Sequence, residues 1–547
     1  MTLMTKIERY CLLLILCLTA SSLSAMPAWR GEVEKRLEDG TSMMVTLQGD
    51  RWLHYYESAD GRCWRETSEG YLVPQEKPTV EKESTIRRMK RMPQQTATAS
   101  KRNIAPRGIV ILVNFKKLHF LPENTQEAMN EMLNSDNYTY DEATGSAKQY
   151  FIDQSMGQYQ PQFDVVGPVT LSQDYAYYGE DDTSVGYAGE DLRAVDMIVE
   201  ACRLADSEFG VNFKDYDCDN DGEVDFVFVI YAGYGQSSGA DENTIWPHSF
   251  WVSDFHGDVA GGQTCIIDNT KINTYACVPE LNGRSGNRRI GIGTFCHEFS
   301  HVLGFPDLYI TESSPNHRTL GDWDILDYGP YLNRGRTPPA YSAYERFFMG
   351  WLYPAILNEK GTYTLQELQQ SNTAAIITST GKHNMAGNDP NPTEFYILEN
   401  RQQTGWDKYL KGHGLMITKI KYNYQSWYDN TVNNTSSNLG VDIIEAEKNT
   451  EKTNKPTDLF PAGATAFTPY STYPVTNIKE SDGQISFDFM GGGESIVVST
   501  DDNKIEEQVI AIYSVLGHLT QYTQTEQLPK GIYIVKTDKT TRKISIQ

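Results

Sequence analysis

Cysteine is scarce in this chain, with 8 among 547 residues. Cys11 and Cys17 fall in the first 25 residues. The rest are Cys63, Cys202, Cys218, Cys265, Cys277 and Cys296. Six in so long a chain do not make a disulfide scaffold, and none has zinc-finger spacing. Cys265 and Cys277, on what read as adjacent strands, are the one pair expected to bridge. Basic residues are also in deficit, with 48 Lys and Arg against 72 Asp and Glu, a net charge of −24. That balance argues against nucleic acid as a partner and suits a soluble exported protein. Long apolar runs are missing as well. The run Cys11 to Ala20 is too short to span a bilayer, and no other is long enough, so no integral membrane span is expected. Preceded by Lys6 and Arg9 and followed by the small residues Ser22 to Ala25, it reads as a secretory signal peptide over 1–25.

What is present is one dense stretch, Gly293 to Asp307, GTFCHEFSHVLGFPD. His297 and His301 are four apart, so on a helix they project from one face, one turn above the other. Two neutral imidazoles at that spacing can grip one zinc ion. Glu298 stands beside the first histidine as a base for a water activated by the metal. Gly304 can take the left-handed conformation that ends a helix and turns the chain back, bringing Asp307 to the metal as third ligand. Three protein ligands leave a position for water, the layout of a catalytic zinc site. A bare HExxH arises by chance in about one chain in a hundred of this length. The added glycine and aspartate at fixed offsets set this stretch apart from a buried helix that happens to carry two histidines.

Downstream lies Leu320 to Gly329, LGDWDILDYG. With it the chain resembles the zincin metallopeptidases, and among them the immune inhibitor A family. That family carries HExxHxxGxxD, followed by a Trp-Asp-hydrophobic-Met-Asp type turn beneath the metal. The resemblance implies His297, His301 and Asp307 as zinc ligands and Glu298 as the general base. Leu326 stands where the family's methionine would be, a near volume-conserving exchange. The resemblance also implies that Tyr328 stabilises the transition state, against the alternative of a core aromatic. It covers about 107–355 and includes GSAKQYFIDQSMGQYQPQFDVVGPVTL and the segment 336–352, which reads as a helix started by Pro338 and Pro339.

Around this domain the chain divides by composition. Residues 26–78 alternate in the strand manner with Asp-Gly turns at 39–40 and 60–61, a small β-rich domain. By the resemblance it is a propeptide that covers the site until removed. Cys63 is then either a thiolate cap on the zinc or an ordinary strand cysteine. Residues 79–106 are a basic linker containing Arg87, Arg88, Lys90, Arg91, Lys101 and Arg102, open to an activating protease. Gly108 to Phe115 is a buried strand by its unbroken apolar run, and 145–155 and 188–206 carry helical periodicity. The acidic run Asp217, Asp219, Asp221, Glu223 and Asp225, with a turn at Gly222, matches the first half of a calcium loop. Phe228 stands where an EF-hand needs glutamate, so a short Ca2+ loop or a solvated acidic turn is expected. Asn273 to Glu280 is expected to be the strand nearest the active-site helix, with an edge strand available for pairing to an extended peptide. His248 is expected to be structural.

Residues 356–490 alternate as strands and suggest a β-sandwich packed on the catalytic unit. Gly491 to Gly493 read as a hinge to a small C-terminal β module over 491–547. VIAIYSVLGH and LPKGIYIVKT there resemble the secretion modules of Bacteroidetes that use the type IX pathway. The expected fold is therefore α+β and multidomain, a zincin domain with a twisted sheet and an active-site helix followed by β-sandwich-type domains. The expected function is a secreted Zn2+ endopeptidase, made latent, acting on extracellular protein or peptide substrates. The competing expectation is a non-catalytic secreted binding or adhesion protein on the same scaffold, and a zinc hydrolase acting on something other than peptides is also open.

Overall fold

Strand β7 (Arg107–Asn114) shows why the central sheet forms. Every residue from Gly108 to Val113 is buried. Val110 and Leu112 join the core on one face, Ile109, Ile111 and Val113 that on the other. A strand apolar on both faces belongs inside a sheet covered on both sides. In the computed structural model β7 lies between β8 (Gln162–Thr170) and β9 (Val227–Tyr234), parallel to both. The sheet continues through β13 (Thr274–Leu281), parallel to β9, and β10 (His248–Trp251), antiparallel to β13. The two-residue strand β1 (Ser24–Ala25) adds antiparallel to β10, so the order is β1-β10-β13-β9-β7-β8. The helix Ala194–Phe209 packs with one face of the sheet, and the helices Gln126–Asn134, Ala147–Gln154 and Ile292–Val302 with the other.

The described residues are 24–67, 69–78, 106–182, 189–254, 265–311, 317–451 and 453–499, and, in the C-terminal unit, 509–514, 519–520, 528–529, 531–537 and 541–546. Of the expected signal segment 1–25, residues 1–23 lie outside them, as does the basic linker from 79 through residue 105. No helix among the described residues is long and apolar enough to cross a membrane.

Residues 32–75 close into a five-stranded barrel, β2 (Glu32–Leu37), β3 (Ser42–Asp50), β4 (Leu53–Ser58), β5 (Cys63–Glu66) and β6 (Tyr71–Gln75). The Asp-Gly turns fall where expected: Gly40 has φ 84° and Gly61 φ 80°, a region open to glycine at no steric cost. Val33, Val45, Leu47, Tyr56, Trp64 and Leu72 fill the interior.

Beyond the catalytic segment, the sheet of β14 (Ala355–Ile356), β16 (Ala375–Ile377), β17 (Glu394–Arg401), β18 (Gly414–Lys421) and β19 (Val441–Ile443) faces a second sheet. The second is built from β15 (Gly361–Leu365), β20 (Val475–Ser481), β21 (Gln484–Phe489) and β22 (Ser495–Val497). Alternation along β17 explains both contacts. Tyr396 and Leu398 enter the core shared by the two sheets, while Phe395 and Ile397 enter the core of the helix Ile292–Val302. The sandwich and the catalytic segment thus share one core.

Several expectations change. The helix after Pro339 starts only at Ala343, because Ser342 and Glu345 form a capping box. The Gly491–Gly493 hinge is no boundary, since β22 returns to pair with β15. The separate unit begins at Thr500 and carries a three-stranded sheet of β23 (Val509–Ser514), β24 (Gly531–Thr537) and β25 (Thr541–Ile546). Cys265 and Cys277 are both free, because Cys265 sits in a hairpin opposite Ile272 while Cys277 faces His248 and Val229 in the central sheet.

Candidate metal centre and the cleft beside it

The helix Ile292–Val302 rides close on the segment after the 320–329 turn. A Cβ on Gly293 would meet the Pro330 carbonyl oxygen at 2.1 Å, so only glycine permits the approach. At the other end Gly304 has φ 98°, and Phe305 N–H closes back on the Ser300 carbonyl at 3.1 Å. That is the left-handed helix end expected from sequence, and it swings Asp307 under the two histidines.

His297 Nε2 and His301 Nε2 lie 3.1 Å apart. Asp307 Oδ1 lies 3.3 Å from the first and 3.2 Å from the second. The other ring nitrogens point at carbonyls, His297 Nδ1 at Ile325 O (2.7 Å) and His301 Nδ1 at Phe305 O (2.9 Å). Each Nδ1 therefore carries its proton, and each Nε2 turns a lone pair toward the common point. Asp307 Oδ1 is buried there without a hydrogen-bond donor. An acceptor-only trio, all buried, is the donor set a divalent cation satisfies. Burial, reinforced by the neighbouring His301, holds His297 below its usual pKa. Burial pushes Asp307 up, but His301 and His297 outweigh it and hold the carboxyl below its ordinary range.

Asp307 is clamped from the sandwich. Asn430 donates from Nδ2 to Asp307 Oδ2 at 2.7 Å and accepts the Asp307 N–H on Oδ1 at 2.6 Å. Sequence reasoning missed Asn430, since nothing local in KYNYQSWYDN links it to a residue 123 positions away. From below, Leu308 N–H bonds the Leu326 carbonyl at 2.8 Å, and Leu326 is fully buried. The turn therefore does its packing with leucine in place of methionine.

Glu298 is buried on the same helix but outside the trio. Burial, then the charge of Asp307, pushes its carboxyl pKa well up. Oε1 accepts the backbone N–H of Met26 at 3.1 Å, and Oε2 is buried without a partner. Met26 belongs to the N-terminal strand that crosses the site. Ala25 pairs with His248 on β10, and the Ala25 carbonyl accepts the Tyr309 hydroxyl. Trp246 Nε1 donates to the Met26 carbonyl at 2.7 Å, and Tyr331 donates to the Pro27 carbonyl at 2.7 Å. Tyr328 stands with its ring 3.4 Å beneath the Arg30 guanidinium. The phenol that reaches the peptide unit facing Glu298 is that of Tyr309, which the sequence reading passed over although it lies two residues after Asp307.

Apart from the two-residue β1, the edge strand is β10, and the expected strand 273–280 lies next to it, third in the full order. His248 is structural as expected, its ring held by the Trp246 carbonyl (2.6 Å) and the Tyr275 hydroxyl (2.9 Å). Cys63 sits in the barrel wall opposite Glu57 and Gln75 and is not among the groups that could hold a metal.

Of the acidic run, Asp217, Asp219 and Asp221 converge. Glu223 leaves the group to pair with Lys271 at 2.8 Å, and Asp225 accepts the Cys218 N–H at 3.2 Å. The loop's own amides bond the three carboxylates: Asp221 and Gly222 donate to Asp217, each at 3.0 Å, and Glu223 to Asp221 at 3.0 Å. These bonds account for the turn, and nothing beyond proximity points to calcium.

Residues 112–352 match the family described as Immune inhibitor A peptidase M6, catalytic domain. The chain is 26% identical over 228 residues to Immune inhibitor A of Bacillus thuringiensis subsp. alesti, covering 37% of this chain and 31% of that protein. It is 24% identical over 230 residues to the pre-pro-metalloprotease PrtV of Vibrio cholerae serotype O1, covering 37% of this chain and 23% of that protein. The chain thus spans a third or less of the length of these relatives. The matched segment holds the helix, its glycine end, Asp307 and the turn beneath them, and it is this segment that is similar to the immune inhibitor A peptidase M6 catalytic domain.

Proposed function

We propose that the protein is a secreted zinc endopeptidase made as a latent precursor. The observation that carries the reading is the buried meeting of His297 Nε2, His301 Nε2 and Asp307 Oδ1 beside a buried carboxylate, Glu298, that faces a peptide N–H. Those three atoms would hold Zn2+, which when bound supplies a Lewis acid that lowers the pKa of water and polarises a carbonyl. The relatives' names, metalloprotease and immune inhibitor, agree with hydrolysis of protein substrates.

The chain's own groups divide the remaining work. β10 is an edge to which an extended peptide adds as a strand, as β1 does, and this orients the substrate. Glu298 takes a proton from the attacking water and passes it to the leaving amine. Its hydrogen-bond reach to a peptide nitrogen suits both tasks. Burial of all four groups keeps bulk water from competing.

Latency follows from what fills the cleft. Residues 26–30, which follow the 1–25 signal segment, lie across it, with Met26 tied to Glu298 and Trp246 and Pro27 to Tyr331, and the barrel behind them anchors them. Cutting in the basic linker 79–106 by an activating protease, followed by loss of the barrel, would open the cleft. The basic start and apolar run before Ala25 support export.

The test is casein digestion by protein loaded with one zinc and nicked in the linker. Digestion abolished by a chelator and restored by Zn2+ is expected. Indifference to the chelator overturns the zinc reading, and failure to digest any protein substrate overturns the peptidase reading.

A further inference from the structure

We propose that Tyr309 is a catalytic residue, the hydroxyl that holds the reacting carbonyl oxygen during hydrolysis, and that the Ala25–Met26 peptide unit lies where a substrate's scissile bond lies. The proposal rests on the zinc endopeptidase reading above and takes its geometry from the full-length chain, in which Ala25–Met26, the bond that removal of the 1–25 signal segment would cut, is intact. Its ground is that one peptide unit is held at both ends by different groups. The Met26 N–H is on Glu298 Oε1 at 3.1 Å, and the Ala25 carbonyl oxygen is on the Tyr309 hydroxyl. The nitrogen is thus at the group that must protonate a leaving amine, and the oxygen at a donor.

The strand around this unit has the bearing of a substrate. Ser24 and Ala25 pair with Ser249 and His248 of the edge strand, antiparallel. Past the bond, the Met26 and Pro27 carbonyls are caught by Trp246 and Tyr331. The chain therefore runs extended through the cleft on both sides of Ala25–Met26. Three tyrosines border it, and geometry separates them. The Tyr331 hydroxyl is spent on Pro27, two residues past Ala25. The Tyr328 ring lies under Arg30. Tyr309 alone of the three touches the carbonyl whose own amide meets Glu298.

Tyr309 is also held in place. Its neighbour Leu308 is held on both sides, its N–H donating to the Leu326 carbonyl and its carbonyl accepting Asn433 Nδ2 at 2.8 Å. Tyr309 itself is buried. A fixed donor aimed at the carbonyl oxygen loses little to reorganisation as charge develops there.

The step balances with one water. The water oxygen bonds to the carbonyl carbon while its proton goes to Glu298, and the carbonyl π pair moves onto the oxygen that Tyr309 O–H bonds. The C–N bond then breaks, the pair on oxygen re-forms the carbonyl, and Glu298 returns the proton to nitrogen. Tyr309 keeps its proton throughout.

The experiment uses the linker-nicked, zinc-loaded enzyme, with zinc content and thermal melting recorded for each variant. Tyr309→Phe is expected to lower kcat by about 10² to 10³ and leave KM within about twofold, the cost of one oxyanion donor. Zinc content should stay at the wild-type value. A phosphinic peptide, mimicking the tetrahedral state, should bind Tyr309→Phe weaker by a similar factor, while a cleaved product peptide binds equally well. Unchanged kcat, or a loss confined to KM, overturns the proposal, as does Tyr328→Phe carrying the kcat loss instead. Should Tyr309→Phe not fold, 3-fluorotyrosine at 309 keeps the shape and strengthens the donor. It is expected to shift kcat by at least about twofold at constant KM, and an unshifted kcat overturns the role. Wild-type activity indifferent to chelator sinks the underlying zinc reading instead, which sets that failure apart from this one.

Discussion

The Met26 N–H donates to Oε1 of Glu298 at 3.1 Å although the two residues are 272 positions apart in the chain. A peptide nitrogen from the N-terminal segment therefore occupies the acceptor that, in the proposed mechanism, a substrate nitrogen must use. The uncut protein should be slow for this reason. In protein that retains Ser24 and Ala25, Met26→Pro removes the donor in a stretch already extended before Pro27. A hydrogen bond to a charged acceptor contributes about 1.5–3 kcal/mol, so the uncut variant should show about 10- to 100-fold more basal casein cleavage than the uncut wild type. Equal basal rates, with equal rates after nicking, would mean that this contact does not govern latency.

Glu298→Ala separates chemistry from metal binding. The three converging atoms belong to His297, His301 and Asp307, and Glu298 is not among them. The variant should bind one zinc and lose at least about a thousandfold in kcat, within the range of general acid–base contributions. Zinc analysis beside a peptide assay decides it, and a zinc-replete variant with undiminished turnover would remove Glu298 from the mechanism.

Asn430 is the residue through which the sandwich reaches the metal centre. It bonds both the carboxylate and the backbone N–H of Asp307. Partners of this kind are worth about 10- to 100-fold in metal affinity. Asn430→Ala should therefore lose zinc to a competing chelator at about 10- to 100-fold lower chelator concentration. An unchanged competition curve would show that Asp307 is oriented well enough by its own turn.

The contrast between these residues explains what the sequence disclosed. The converging trio was legible because all its members lie within Gly293–Asp307, on one helix and the turn its glycine permits. Both faces of β7 were legible because an unbroken apolar run in a strand demands cover on both sides. Asn430 and the β1–β10 pairing were not, since each depends on where distant segments dock. Other misses had signals that were outweighed. Ser342-Ala-Tyr-Glu345 is a capping-box pattern, but Pro338 and Pro339 drew the helix start six residues or so too early. The acidic run beginning at Asp217 was read as five possible ligands, and Lys271, from a neighbouring hairpin, takes Glu223 out of it.

The barrel's hold on the catalytic segment should depend on pH, in a direction set by its buried charges. Arg51 and His54 flank the β3–β4 turn and meet Asp191 (3.8 Å) and Asp181 (3.3 Å), all of them buried. Gln236 also donates to Asp181, and Glu190, Tyr275 and Cys277 surround Arg51. Burial raises Asp191 and Asp181. For Asp191, the Asp181 charge adds to burial, and Arg51 only partly offsets them. Burial lowers His54, but Asp181 outweighs it and the net shift is upward. Nearby Glu242 is pushed up to about 7 by burial and by Asp181. Every one of these shifts is upward, so the docked state binds more protons than the separated one. Docking is then favoured at low pH and is lost as pH rises through the raised values, from neutral into the alkaline range. Linker-nicked protein should keep its barrel on a sizing column at pH 6 and shed it at pH 9. Arg51→Ala removes the cation that partly offsets burial at Asp191, raises that carboxyl further, and should shed the barrel at a lower pH than the wild type. Equal retention of the wild-type barrel at pH 6 and pH 9 would show that these groups do not set the docking equilibrium.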